Sequence, residues 1–204
     1  MSRLFVGDIG VLVQSDDALL EVSDWRAVEE CAAESRRSER FAWRVLLRRS
    51  LRRMGYGDDV VGADVAYDEH GAPRLVGCEV FIGVAHSRTK VAVAISDRPC
   101  AVDLEIVTRN FETVRRRMLT PREEQVLSAI PICIQSLPLA WAAKETLYKL
   151  SSEEGLALID DMEIVGIDAQ NCTIECRASR GRFAHQRLTF NYTFDDDHVV
   201  VWYL

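Results

Sequence analysis

The segment "AVDLEI", residues 101–106, restricts the fold more than any other part of the chain. Four of its six residues are apolar, which predicts a partly buried β-strand. Asp103 and Glu105 are two residues apart, so both carboxylates point to the same face of that strand. Two neighbouring carboxylates repel each other and are costly to remove from water. The fold must therefore bring a proton, an arginine or a metal ion to this face, unless both acids lie at a solvated strand end.

A second segment, "LAWAAKETLYKL" at residues 139–150, has the spacing of an amphipathic helix. Its core-facing residues recur at three- and four-residue steps: Leu139, Ala143, Leu147 and Leu150. Another face gathers aromatic and charged side chains: Trp141, Glu145, Tyr148 and Lys149. The simplest interpretation is an exposed ion pair between Glu145 and Lys149, of a kind that stabilises a helix only weakly. The alternative is that Glu145 faces a ligand.

These two segments together suggest a metal site. If the helix crosses the strand, Glu145 joins Asp103 and Glu105, and three carboxylates converge. Oxygen ligands without histidine or cysteine are typical of Mg²⁺, which completes its coordination with water and substrate phosphate oxygens. Lys144 and Lys149 would then lie beside the ion and pair with phosphates.

The bulk properties exclude several classes of protein. The chain has 204 residues and a net charge of −7, which argues against a general nucleic-acid binder. It has no apolar run long enough for a transmembrane helix, and its first residues lack the pattern of a signal peptide. The six cysteines are scattered without CxxC spacing, so a zinc site or a disulfide framework is not indicated. We expect a cytoplasmic protein with reduced thiols.

The charge is unevenly distributed in this acidic chain. Arginines are concentrated between Arg36 and Arg53, and three more follow one another at residues 115–117. Four of them recur at i+4 steps and would form a cationic stripe on one helix: Arg36, Arg40, Arg44 and Arg48. Such a stripe is either a solvated helix face or a binding surface for an anionic ligand at a defined place.

The order of the predicted elements indicates an α+β protein with two halves that meet near residue 100. A strand is predicted at Leu4–Val13, and a long helix from about Trp25 to Met54, which ends at Gly55. Thr120 begins a helix with Pro121 at its first position and Glu123 in a capping box. A loop is predicted at Pro131–Pro138. The last fifty residues read as a four-stranded antiparallel meander.

Three stretches, "AVDLE", "TPREEQVL" and "WAAKETLYK", resemble the 4'-phosphopantetheinyl transferase superfamily in their order and separation. The pattern of that superfamily is hydrophobic-Gly-hydrophobic-Asp-x-Glu, followed some forty residues later by Trp-x-x-Lys-Glu-(small)-x-x-Lys. Further upstream, "AHS" at residues 85–87, "GAPRL" at 71–75 and "RFAWRVLLRR" at 40–49 resemble its Ser-His-Ser-like turn, its Gly-Lys-Pro turn and its arginine-containing helix. The resemblance spans residues 34–150.

The resemblance implies a fold of two similar α/β halves packed as a pseudo-dimer, residues 1–100 and 101–204, in a monomeric protein. It implies Mg²⁺-dependent transfer of the 4'-phosphopantetheine arm of coenzyme A to a serine hydroxyl of an acyl or peptidyl carrier protein. The second product is adenosine 3',5'-bisphosphate. Neither a nucleic acid nor a membrane is an expected partner.

The resemblance also implies roles for individual residues. The metal ligands would be Asp103, Glu105 and Glu145. Lys149 and Lys144 would contact phosphate oxygens, and Glu123 would help to deprotonate the serine, although the capping box is an equally good explanation for it. Arg36, Arg40 and His86 would contact the phosphates of coenzyme A. Arg37 and Arg44 are further candidates for the 3'-phosphate or for the acidic face of a carrier protein.

Several positions depart from the superfamily pattern. Ala101 replaces the glycine before the two acids, Ala72 replaces the lysine of the Gly-Lys-Pro turn, and Met118 and Leu119 replace aromatic residues. These departures leave a second hypothesis open, a degenerate and non-catalytic paralogue that binds a partner or a nucleotide. A third hypothesis is a Mg²⁺-dependent hydrolase of nucleotides or phosphate esters that uses the same carboxylates.

Overall fold

The structure of the protein, a computed structural model, describes residues 1–14, 18–128 and 133–204. It divides into two compact units: unit 1 is Met1–Cys100 with Leu204, and unit 2 is Ala101–Tyr203. Within the described residues, each unit combines helices with a five-stranded antiparallel sheet, so the predicted α+β class is confirmed. Of the helices in these ranges, none is both long and apolar enough to cross a lipid bilayer.

Unit 1 begins with a strand and two short helices that lead to its longest helix. Its described elements are β1 (Arg3–Asp8), α1 (Ile9–Leu12), α2 (Val22–Glu29), α3 (Glu34–Arg53), α4 (Asp58–Val61), β2 (Val65–Tyr67), β3 (Pro73–Leu75), β4 (Phe81–His86) and β5 (Lys90–Ser96). The core forms where the apolar side of α3 packs on the sheet, with Leu47 and Leu51 fully buried in one cluster with Val93.

Unit 2 places its longest helix before the C-terminal meander. Its described elements are β6 (Ala101–Ile106), α5 (Arg115–Met118), α6 (Pro121–Leu127), α7 (Cys133–Ser151), β7 (Met162–Asp168), β8 (Thr173–Ala178), β9 (Leu188–Phe194) and β10 (His198–Tyr203). The four predicted C-terminal strands are confirmed. Leu139 and Leu147 of α7 are buried in one cluster with Val201 of β10.

The two sheets have the same strand order. In unit 1 the order is β1-β5-β4-β3-β2, and in unit 2 it is β6-β10-β9-β8-β7. The first strand of each unit therefore lies at a sheet edge and pairs antiparallel with the last, as shown by the pairs Gly7↔Val91 and Asp103↔Val201. This shared topology is consistent with the prediction of two similar halves.

The predicted first strand is too long, because the chain leaves β1 after Asp8. Residues Ile9–Leu12 form one helical turn instead, and Ile9 and Leu12 are buried by it. Alternating apolar residues in "IGVLV" suit a strand as well as a short helix, so periodicity alone cannot separate the two.

The predicted long helix is in fact two, α2 and α3, separated at residues 30–33. A buried ion-pair cluster joins them: Asp24 accepts from Arg44 Nη1 at 2.5 Å and from Arg48 Nε at 2.9 Å. Half of the predicted cationic stripe is thus inside the protein, and Arg44 and Arg48 are not on a binding surface. The hypothesis that Arg44 meets the 3'-phosphate or a carrier protein gains no support from this burial and stays a prediction. Gly55, with φ of 84°, follows the end of α3 as predicted.

The predicted loop at Pro131–Pro138 is also wrong in its described part. Helix α7 already begins at Cys133, and Pro138 lies inside it. In the second turn of a helix a proline removes a single backbone hydrogen bond, which packing can offset. Pro131 lies outside the described residues.

A turn before β7 is closed by Asp161. Its carboxylate accepts from the Ala157 N–H at 2.9 Å and from Ser179 Oγ at 2.7 Å. Arg180 Nη2 lies 3.3 Å from the same carboxylate. These contacts, with the Ala157 N–H as the largest contribution, lower the pKa of Asp161 from 3.8 to about 2.

Asp161→Asn is expected to lower the melting temperature at neutral pH. Because the pKa is depressed in the folded state, the stabilisation is complete above the ordinary value of 3.8 and is lost as the pH falls through about 2. The difference in melting temperature from wild type should therefore narrow below about pH 4. The exposed neighbour Asp160, replaced by Asn, is the matched control. A difference that stays constant with pH would contradict this account of the turn.

Candidate functional site

The two segments that suggested a metal site are adjacent in unit 2. Helix α7 packs across β6, as the sequence required for the acids to converge. Lys149 joins the two elements: its Nζ donates to Asp103 Oδ1 at 2.7 Å and to the carbonyl oxygen of Val102 at 3.0 Å. Lys149 thus pairs with Asp103, not with Glu145 as in the simplest interpretation of the helix.

Glu105 is paired with Arg109, and Trp141 lies beside it. Arg109 Nη1 lies 3.1 Å and 3.0 Å from the two carboxylate oxygens of Glu105. The indole N–H of Trp141 is close enough to favour the charged form of the same carboxylate. The guanidinium carbon of Arg109 lies 5.0 Å from the ring centroid of Phe111 and 5.4 Å from that of Trp141. The acid on the strand, the arginine after it and the aromatic residue on α7 therefore form one cluster.

The three carboxylates affect one another electrostatically. Burial raises the pKa of Glu105, and the charge of Asp103 raises it further. Burial likewise raises the pKa of Glu145, again reinforced by Asp103 and opposed by Lys149. Smaller contributions at Glu145 come from Glu105 and Arg109. A bound cation would relieve this repulsion, because it favours the charged form of all three acids.

The chemistry of these residues suits a hard divalent cation. Asp103 Oδ2 is buried and has no hydrogen-bond partner among the described residues, while Oδ1 is paired with Lys149. In the described part of the chain, no three Asp, Glu, His or Cys side chains are already grouped so that they would hold one ion. The acids therefore provide the donor type and an unpaired oxygen that suit Mg²⁺. Lys149 takes up Asp103 Oδ1, and Arg109 takes up both oxygens of Glu105.

A cleft in unit 1 contains the predicted phosphate-binding residues. Arg36, Arg40 and His86 line a space of about 200 Å³ together with Gly71 and Pro73 from the "GAPRL" turn. Residues from α3, from this turn and from the end of β4 are thus brought to one place. The structure gathers the three residues predicted for the phosphates of coenzyme A, and their contact with that molecule stays a prediction.

One acid lies among these cations. Glu39 Oε2 is 3.4 Å from Arg36 Nη1 and 3.5 Å from His86 Nδ1. An entering anion has to compete with Glu39 for both partners. The cleft has no lysine in its turn, because Ala72 stands there and its N–H donates to Asp68 at 2.8 Å.

Lys144 lies in the interior of unit 2. Its Nζ donates to the carbonyl oxygens of Met118 at 2.5 Å, Leu158 at 2.6 Å and Met162 at 2.8 Å. The Glu123 carboxylate is 2.7 Å away, and both side chains are almost completely buried. Burial lowers the pKa of Lys144, and Glu123 opposes that change. All the contacts of Lys144 are internal, so its predicted role in phosphate binding stays a prediction without support from this geometry.

Both carboxylate oxygens of Glu123 are also hydrogen-bonded inside the protein. Its Oε2 accepts from the N–H of Thr120 at 2.8 Å and from the Thr120 hydroxyl at 2.9 Å, and Oε1 accepts from the Ile164 N–H at 2.9 Å. The predicted capping box with Thr120 is confirmed. With no exposed surface, Glu123 gains no support as the general base, and that role also stays a prediction.

A comparison with protein families matches residues 99–201 to the 4'-phosphopantetheinyl transferase superfamily. The matched stretch is half of the chain and contains the acids of β6 and α7 together with Lys149. The chain belongs to the 4'-phosphopantetheinyl transferase superfamily. The resemblance inferred from the motifs is thereby confirmed. No curated protein matches the chain.

The superfamily match reaches further towards the C-terminus than the motif resemblance, but it does not reach the motifs of unit 1. It includes the C-terminal strands, which carried no recognisable motif, and it begins after the cleft residues of unit 1. The assignments of Arg36, Arg40 and His86 thus rest on the motifs and on the cleft alone.

Sequence reasoning missed Arg109 and, although it placed Trp141 on the face of Glu145, did not link Trp141 to Glu105. Arg109 lies three residues beyond β6, where strand periodicity no longer predicts a direction. Trp141 and Glu105 are thirty-six residues apart in the sequence, and no local pattern indicates that they are neighbours. A signal was present in the chain, because an arginine four residues after a half-buried acid is a candidate partner for it.

Proposed function

We propose that the protein is a Mg²⁺-dependent holo-carrier-protein synthase. It transfers the 4'-phosphopantetheine arm of coenzyme A to a serine hydroxyl of an acyl or peptidyl carrier protein. The observation that carries the proposal is the cluster of Asp103, Glu105, Glu145 and Lys149 on β6 and α7, inside the stretch that matches the superfamily. Burial and the charge of Asp103 raise the pKa of Glu105 and Glu145, and a bound cation would oppose both effects.

The proposed reaction is a phosphoryl-type transfer. The serine oxygen forms a bond to the phosphorus that carries the pantetheine arm. The bond between that phosphorus and the bridging oxygen of the diphosphate breaks, and adenosine 3',5'-bisphosphate leaves with the bridging oxygen. The hydroxyl proton passes to a base, for which Glu123 stays the prediction from the sequence. Charge neutralisation and positioning contribute most of the catalysis in reactions of this kind.

Three carboxylates of unit 2 would hold the metal ion. Asp103 offers its unpaired oxygen Oδ2, and Glu105 and Glu145 offer oxygens that burial leaves poorly solvated. A bound Mg²⁺ would polarise the diphosphate and neutralise charge on the leaving group. Lys149, one third exposed, would present its remaining ammonium N–H to phosphate oxygens beside the acids.

The cleft of unit 1 would bind a phosphate of coenzyme A through Arg36, Arg40 and His86. Two guanidinium groups provide planar donors that suit phosphate oxygens. Glu39 would give up its contacts with Arg36 and His86 when the phosphate enters, so the cleft would favour a doubly charged group such as the 3'-phosphate.

Arg40→Met is expected to raise the KM for coenzyme A by about tenfold, because it removes one charge-assisted phosphate contact. The KM for 3'-dephospho-coenzyme A should change much less. Steady-state kinetics with both substrates measures the difference. Arg53→Met, an exposed arginine at the other end of the same helix, is the matched control. An equal change for both substrates would contradict the assignment to the 3'-phosphate.

The test of the proposed function is the release of adenosine 3',5'-bisphosphate from coenzyme A, followed by chromatography, with and without an apo carrier protein. Release that requires both the carrier and Mg²⁺ supports the transferase. Release without the carrier would identify the hydrolase instead. No release with any carrier, together with no binding of coenzyme A in calorimetry, would identify the degenerate paralogue.

A further inference from the structure

Arg109 lies against the carboxylates of the proposed metal site. The acidic cluster has three carboxylates, and two cationic side chains, Lys149 and Arg109, lie against them. Lys149 also bonds the carbonyl oxygen of Val102, so it belongs to the packing of α7 on β6. Among the described residues, the Arg109 side chain makes no such bond to the backbone, and its polar contacts are with Glu105.

The setting of Arg109 allows the guanidinium to leave without opening the core. Its guanidinium carbon lies over a pair of aromatic rings, Phe111 and Trp141, whose centroids are 5.9 Å apart. The side chain is 51% exposed, so its other side faces water. Stacking on aromatic rings fixes an arginine weakly and reversibly at an exposed site.

Glu105 keeps a second polar neighbour when the guanidinium leaves. The indole N–H of Trp141 on α7 also favours the charged form of this carboxylate, and Trp141 packs against the core of unit 2. A carboxylate has several acceptor sites, so Trp141 leaves room for a metal ion.

We propose that Arg109 is a competing cation, which neutralises Glu105 in the metal-free protein and moves off this carboxylate when the divalent ion binds. The inference rests on the proposed function, since it concerns the same acids. Both oxygens of Glu105 now face Arg109, and within the described residues no set of acids is grouped around one point. The arginine thereby offsets part of the repulsion between the acids and weakens the binding of the metal ion.

The test is direct metal binding by the whole protein. Mg²⁺ is titrated by calorimetry and Mn²⁺ by electron paramagnetic resonance, for wild type, Arg109→Met, Arg109→Lys and the control Arg116→Met. Arg116 is exposed and neighbours the cluster in sequence, so it corrects for the loss of one charge. Arg109→Met should bind both ions about tenfold more tightly, because one nearby positive charge is removed. The metal affinity of Arg109→Lys should lie between those of wild type and Arg109→Met, and the metal affinity of Arg116→Met should equal that of wild type.

The melting temperature separates competition from a structural role. Without metal, Arg109→Met should melt below wild type, and saturating Mn²⁺ should raise its melting temperature by more than it raises that of wild type. Equal or weaker metal binding by Arg109→Met would overturn the inference and leave the transferase proposal intact. If neither protein binds either ion, the metal site itself is wrong, and both proposals fail.

Discussion

Glu145→Gln is expected to lower transfer by at least about a hundredfold and to make the metal-free protein more stable at neutral pH. The loss of activity follows from the removal of one of the three proposed metal ligands. The gain in stability follows from the electrostatics of the free site, where burial and the charge of Asp103 raise the pKa of Glu145.

The sign of the stability change depends on pH. A carboxylate with a raised pKa binds its proton more tightly in the folded state, so it favours folding below its ordinary pKa of 4.5, and this benefit is lost as the pH rises through the folded-state value. Glutamine resembles the protonated form at every pH. The melting temperature of Glu145→Gln in chelator should therefore exceed that of wild type at pH 7, and the difference should shrink towards pH 4.

Two melting curves and one assay check this prediction. Mg²⁺ should raise the melting temperature of wild type and not that of Glu145→Gln. The exposed Glu154, replaced by Gln, is the matched control and should behave as wild type in both respects. A variant that is less stable than wild type in chelator would show that Glu145 is a structural acid.

Lys144→Met is expected to destabilise the fold by roughly 3–5 kcal/mol, the usual effect of breaking a buried ion pair. The substitution leaves the Glu123 carboxylate without its cation and removes the donor to three buried carbonyl oxygens. Urea unfolding measures the loss. Lys149→Met is the matched control: it is one third exposed, and it should reduce transfer strongly while reducing stability much less.

A double variant, Lys144→Met with Glu123→Gln, distinguishes the buried pair from two independent residues. Because glutamine carries no charge, the double variant should be more stable than Lys144→Met alone. Additive losses would contradict the pairing. The transfer activity of Lys144→Met is then compared with the fraction of this variant that is folded. An activity that falls only in proportion to the folded fraction would show that Lys144 acts through the fold, and a larger loss of activity would favour phosphate binding.

Local patterns predicted much of the fold. The capping box at Thr120 and the strands of the meander depend on residues close in sequence, and they are confirmed. The crossing of α7 over β6 could be anticipated because the apolar faces of both segments need cover. The break between α2 and α3 could not, because the helical spacing of apolar residues continues across it.

The partners of the buried charges could not be predicted either. Asp24 with Arg48, and Glu123 with Lys144, are pairs of residues twenty or more positions apart. Sequence spacing shows that these groups are charged, and only tertiary packing decides whether a charge faces a ligand or a buried partner. Lys144 and Lys149 illustrate this. They are five residues apart on one helix, yet the side chain of Lys144 is completely buried and that of Lys149 is one third exposed.

The mass of an apo carrier protein, incubated with this protein, coenzyme A and Mg²⁺, tests the central claim most directly. The panel of carriers should span fatty-acid, polyketide and peptide-synthetase types. The account predicts that one of them gains the mass of one phosphopantetheine group, and that chelator or Glu145→Gln prevents the gain. An unchanged mass for every carrier, from protein that is shown to be folded and to bind coenzyme A and Mg²⁺, would contradict it.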